Sequence, residues 1–123
     1  MKQPFRRQHE RFACDIPVTL VASGARVGEG ALLDIGLGGA ALRTSVCLQR
    51  GTLYEIFLVR DKQKIRLPFR VAWEGAARGQ ALRFGLSFVL TTAQEKLYRR
   101  LIDDIRRALD KDGGTVLRDY WNV

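Results

Sequence analysis

Between Ile16 and Val89 the chain runs through six short apolar segments, each ended by glycine or a polar tip, and no stretch of helical periodicity intervenes. A parallel sheet needs a crossover of a dozen or more residues between successive strands, and these connections are too short for one. The pattern therefore predicts a mainly β protein, a six-stranded antiparallel barrel that closes its own edges. At 123 residues and 46% hydrophobic content, one packed core is expected.

The first strand is read from the alternation Ile16, Val18, Leu20, begun by Pro17 at an edge. The second covers Arg26 to Ile35 and the third Gly39 to Thr44, separated by Gly36-Leu37-Gly38-Gly39, whose glycines permit positive φ. Thr52 to Val59 is the fourth and Asp61-Lys62-Gln63 a hairpin tip. The fifth runs from Lys64 to Glu74 and the last from Gln80 to Val89. Phe69, Trp73, Phe84 and Phe88 read as core aromatics.

At Thr92 the periodicity changes. Thr92-x-x-Glu95 reads as a capping box, and Leu97, Leu101, Ile105 and Leu109, with Tyr98 and Ile102 beside them, form the apolar stripe of a C-terminal amphipathic helix. It is expected from about Ala93 to Asp110, ending before Gly113-Gly114 and covering one barrel opening. The organisation expected is a basic arm (1–12), a barrel with its helix (13–112), and a tail (113–123). Val116, Leu117, Tyr120 and Trp121 in that tail are apolar enough to pack on the barrel or on a second copy, so a monomer or weak homodimer is expected.

No catalytic constellation assembles from these residues. His9 is the only histidine and lies in the basic arm, Cys14 and Cys47 read as reduced thiols, and the helical carboxylates alternate with Lys and Arg as surface pairs do. Two cysteines and one histidine make no recognised metal set, so no catalytic residue, metal or cofactor is expected. Gly36-Leu37-Gly38-Gly39-Ala40-Ala41 nominally fits a dinucleotide fingerprint, but no helix fits before the next strand. No apolar run reaches the ~18 residues of a membrane span and no secretion signal precedes the arm; a cytoplasmic protein without membrane insertion is expected.

The formal net charge of +8 points to an anionic partner. Two groups of residues name its chemistry. Arg7 and Arg11, in Arg-x-x-x-Arg with Arg6 adjacent, offer forked hydrogen bonds to phosphate and flat cations for purine faces. Asp34, in Asp34-x-Gly36-x-x-Gly39, offers a carboxylate that accepts two N–H bonds from a guanine edge, with glycines that let backbone approach the ring.

This order of motifs, followed by a barrel and helix, resembles the PilZ domain family over about Lys2 to Lys111. The resemblance implies a receptor for cyclic di-GMP. Arg7 and Arg11 would grip phosphates and stack on guanines, Asp34 and Gly39 would surround one guanine, and Gly85 would lie on the strand lining the site. Gly36 departs from the family pattern, which has serine there; a lost hydrogen bond of ~0.5–1.5 kcal/mol implies about tenfold weaker binding. Arg6 would accommodate a second, stacked ligand molecule. The arm would order on binding and present a surface to an effector protein. Two rival readings are a PilZ-like protein-interaction adaptor that binds little or no nucleotide, and a nucleic-acid-binding barrel. Retained Arg7, Arg11 and Asp34 oppose the first, and aromatics read as core rather than exposed oppose the second.

Overall fold

The computed structural model describes residues 10–75, 79, 81–112 and 116–117. Its strands are β1 (Arg11–Ala22), β2 (Ala25–Gly36), β3 (Gly39–Thr44), β4 (Tyr54–Arg60), β5 (Gln63–Glu74) and β6 (Leu82–Phe88), followed by helix α1 (Thr92–Asp112) and a short β7 (Val116–Leu117). Neighbouring strands pair antiparallel in the order β2-β3-β6-β5-β4-β1, and β1 pairs back onto β2, closing the ring. This is the barrel expected from the short connections.

Alternation fills the interior. Leu20, Leu32, Leu42, Ile56, Leu67 and Phe69 have no solvent exposure and meet in one core, each fully buried side chain stabilising by about 1.5–3 kcal/mol. Tyr54 stacks on Phe69 at 5.6 Å, and Phe88 meets Phe69 edge-on at 6.5 Å. The β4–β5 hairpin turns through Asp61 and Lys62 with φ of 51° and 66°, the mirror-image turn that suits strand twist.

Some boundaries differ from the sequence reading. β1 starts at Arg11, so Arg11 and Phe12 belong to the barrel rather than the arm, and Pro17 lies inside the strand. Proline fits there because, among the described residues, β1 is partnered on one side only at that point. Its other side carries β7 at Arg11–Phe12 and β4 at Thr19–Ala22, with Pro17 between. Of the glycines at the β2–β3 turn, Gly39 alone takes positive φ, at 140°.

The helix is capped one residue earlier than Thr92-x-x-Glu95 suggests. Thr91 and Gln94 form the box: the Gln94 amide donates to Thr91 Oγ1 at 3.2 Å and the Thr91 amide to Gln94 Oε1 at 2.9 Å. Tyr98, Leu101, Ile102 and Ile105 face the barrel and join its core, while Leu97 and Leu109 are half-buried. The outer face carries the expected exposed pairs, Arg99 with Glu95 and Arg106 with Asp103 and Asp110. Among the described residues no helix is long and apolar enough to cross a membrane.

Candidate functional site

Two interruptions of strand alternation build the site. In β2, Leu32 pairs with Leu42 and Asp34 with Ala41, so Leu33 is an extra residue. Unbroken alternation through Leu33 would put Asp34 on the inward face of Leu32; the bulge turns it to the outer face and returns Ile35 to the core. In β5 the extra residue is Ala72: Val71 pairs with Leu86, but Trp73 pairs with Gly85. Trp73 is thereby turned out of the barrel and is 36% exposed, which corrects its reading as a core residue. Phe69 and Phe84 are core as expected, and Phe88 is half-buried.

The two bulges place Asp34, Ala41, Gly85 and Trp73 in one cross-strand row over β2, β3, β6 and β5. The five-membered ring of the Trp73 indole lies directly over Gly85, leaving no room for any side chain at that position. Gly85 is therefore the seat of an aromatic platform, a role that alternation could not indicate.

Arg11 and Asp34 are brought together. The Arg11 Nε–H donates to Asp34 Oδ1 at 2.7 Å, and Nη2 lies 2.6 Å from the same oxygen, with both residues buried. Removing one member of such a pair costs about 3–5 kcal/mol, because the other charge stays buried. Nη2 makes no well-formed hydrogen bond among the described residues.

Gly36 faces Arg11 across β1 and β2. A methyl group there would collide with the Glu10 carbonyl oxygen and lie 3.3 Å from Arg11 Cδ, so glycine at 36 is what lets the start of β1 lie flat on the turn. A methyl on Gly39 would strike the Leu86 carbonyl oxygen, which makes glycine obligatory there on space as well as φ. Arg6, Arg7 and His9 lie outside the described residues.

Tyr98 is a site residue that sequence reading saw only as part of the helix stripe. Its hydroxyl donates to the Gly36 carbonyl oxygen and lies 3.2 Å from that of Gly39, tying α1 to both ends of the β2–β3 turn. Burial raises its pKa, opposed by Arg11 and the Gly36 hydrogen bond, so the phenol stays a donor well above the usual tyrosine range. A cavity of about 400 Å³ opens beside it, between Leu37–Gly39, Phe88 and the Glu95–Arg99 pair.

Cys14 donates to the Leu32 carbonyl oxygen at 3.4 Å. Burial, then Asp34 and Asp15, push its thiol up to about 12 against the pull of Arg60, so it is unreactive at neutral pH. Cys47 is exposed and unpaired. No cluster that would hold a metal exists among the described residues.

A buried guanidinium–carboxylate pair on the outside of a closed barrel, in one cross-strand row with an aromatic platform, is the layout of a ligand-binding barrel. The family model of the PilZ domain matches residues 5–104, and the chain belongs to that family. The fold is similar to the PilZ domain of CeSA from a cellulose-synthesizing bacterium, at TM-score 0.61 and 26% identity over 78% of this chain and 97% of that one. It is also similar to the PilZ domain of Escherichia coli YcgR, solved with c-di-GMP, at TM-score 0.66 and 18% identity over 89% and 99% of the two chains. A third is the Bacillus subtilis inhibitor of motility MotI/DgrA, at TM-score 0.65 and 18% identity, covering 90% of this chain and 55% of that one. No curated protein matches the sequence.

Proposed function

We propose that this chain is a cytoplasmic cyclic di-GMP receptor that signals to an effector protein and performs no catalysis. The observation carrying this reading is the Arg11–Asp34 pair on the outer face, one strand from the row of Ala41, Gly85 and Trp73. A guanine edge presents two N–H groups to a carboxylate, and an indole in the same cross-strand row, seated over Gly85, offers its face to a base. Arg11, displaced from Asp34 by the guanine, turns its fork to phosphate, joined by Arg7 from the arm. Its exchange of partner is the conformational step, and the strand carrying Arg11 also pairs with β7, so the step reaches the C-terminal tail. The YcgR domain, solved with c-di-GMP, supports the ligand class. Arg6 would stack on a second ligand molecule, giving two per protomer.

Calorimetric titration with cyclic di-GMP, with GTP as control, tests the reading. Saturable binding is expected at two ligands per protomer, lost in an Arg7→Ala, Arg11→Ala variant that remains folded. One ligand per protomer removes the role given to Arg6. An absence of binding heat at high protein concentration refutes the receptor and leaves the protein-interaction adaptor.

A further inference from the structure

We propose that Arg43 and Arg83 form a second phosphate subsite on the barrel face, beyond the motif arginines; the inference rests on the receptor reading above. Leu42 and Phe84 are core residues, so their strand neighbours Arg43 and Arg83 project outward, on the same face as Ala41 and Gly85. The two arginines are direct cross-strand partners. Like charges placed opposite each other destabilise a sheet, so a pair of this kind needs a reason to stand.

Neither guanidinium is neutralised among the described residues. Among the described residues no carboxylate lies within ion-pair distance of Arg43 or Arg83. The nearest candidate along β2, Glu29, is bound to Arg26 at 2.7 Å. Glu74 pairs with Phe84 on β6, one residue along from Arg83, and makes no ion pair with it among the described residues. On β2 the residue opposite Arg43 is Ala31, which leaves the arginine unfenced. An open groove of about 420 Å³ is lined by Arg43, Ala31, Thr44 and Ser45, with Glu29, the partner of Arg26, on its wall as well.

Position supplies the ligand. Arg43 and Arg83 lie two residues along their strands from Ala41 and Gly85, a step of about 6.8 Å at ~3.4 Å per residue. Arg11 pairs with Gly36 and lies on the other side of Asp34 along β2, toward the β2–β3 turn. Asp34 and Trp73 therefore stand between two sources of positive charge. A cyclic dinucleotide carries two phosphodiesters on opposite sides of one ring, so a guanine fixed at Asp34 directs one phosphate toward Arg11 and the other toward Arg43 and Arg83. Two guanidiniums side by side present parallel N–H forks that suit a single phosphodiester.

The test is calorimetric titration of cyclic di-GMP into the wild type, Arg43→Gln, Arg83→Gln and the double variant, with melting temperatures recorded for each. Each single change is expected to weaken binding about tenfold and the pair about a hundredfold, while melting temperatures stay level or rise as the opposed charges go. Lysine at both positions keeps the charge without the fork and is expected to recover under half of the loss on a logarithmic scale. Binding by the double variant within threefold of the wild type overturns the subsite and leaves the receptor reading intact. A wild type that takes up no cyclic di-GMP overturns both.

Discussion

Replacing Tyr98 with Phe isolates one oxygen atom. The ring and its 4.8 Å contact with Phe88 remain, so no cavity is made, and the change removes only the one proton that the hydroxyl donates to the Gly36 carbonyl, with that of Gly39 at 3.2 Å. The phenol has a single proton, and its loss leaves a buried carbonyl unpaired, so the expected cost is about 1–3 kcal/mol, or roughly 4–12 °C in melting temperature for a domain of this size. Because the phenol anchors the turn that carries Gly36 and Gly39 beside Asp34, cyclic di-GMP affinity should fall several-fold as well. Tyr54→Phe is the matched control: its hydroxyl accepts one bond, from the Gln49 amide at 2.8 Å, and lies away from the turn, so stability should fall by about 0.5–1.5 kcal/mol with affinity unchanged. The alkaline limb gives an independent sign. Folding raises the Tyr98 pKa above its ordinary 10.0; above pH 10 the unfolded chain therefore loses a proton that the folded chain keeps, and wild-type stability falls. Tyr98→Phe lacks this loss, so the stability gap should narrow as pH rises beyond 10. Denaturant unfolding at pH 7 and above pH 10 measures both effects. A Tyr98→Phe protein as stable as wild type at pH 7 would refute the idea that the helix holds the turn.

Gly36→Ala and Gly36→Ser should each lower stability by about 1–3 kcal/mol through the collision with the Glu10 carbonyl. Serine, but not alanine, should then bind cyclic di-GMP up to about tenfold more tightly than the other variant, as titration of both will show. Asp34→Ala alone should cost about 3–5 kcal/mol by stranding the Arg11 charge, whereas Arg11→Met with Asp34→Ala should be less damaging; chemical denaturation of the two proteins decides it. Folding raises the Cys14 pKa from 9.0 to about 12, so the unfolded thiol ionises first and stability declines from pH 9 toward 12. Cys14→Ala should flatten that part of the profile, and at neutral pH a thiol reagent should modify the exposed Cys47 while sparing Cys14.

The sequence by itself determined the six barrel strands, though not the short β7 that joins β1, and also the antiparallel ring and the helix with its apolar stripe, because period-two and helical patterns are local properties and the short turns leave no room for crossovers. It also singled out Arg11, Asp34, Gly36 and Gly39 as a group, which the structure brings together at the junction of β1, β2 and β3. What it could not show was facing. One extra residue in a strand reverses every side chain beyond it, and whether Leu33 or Ala72 is extra depends on the partner strands rather than on the strand itself. Trp73 for that reason reads as core and is a surface platform. Tyr98 likewise reads as one more apolar helix position, and only the docking of α1 turns its hydroxyl onto carbonyls 62 and 59 residues away along the chain. The pairing of Arg43 with Arg83, and of Arg11 with Asp34, follows from strand register, which is set when the barrel closes and hydrophobic burial selects one alignment among several.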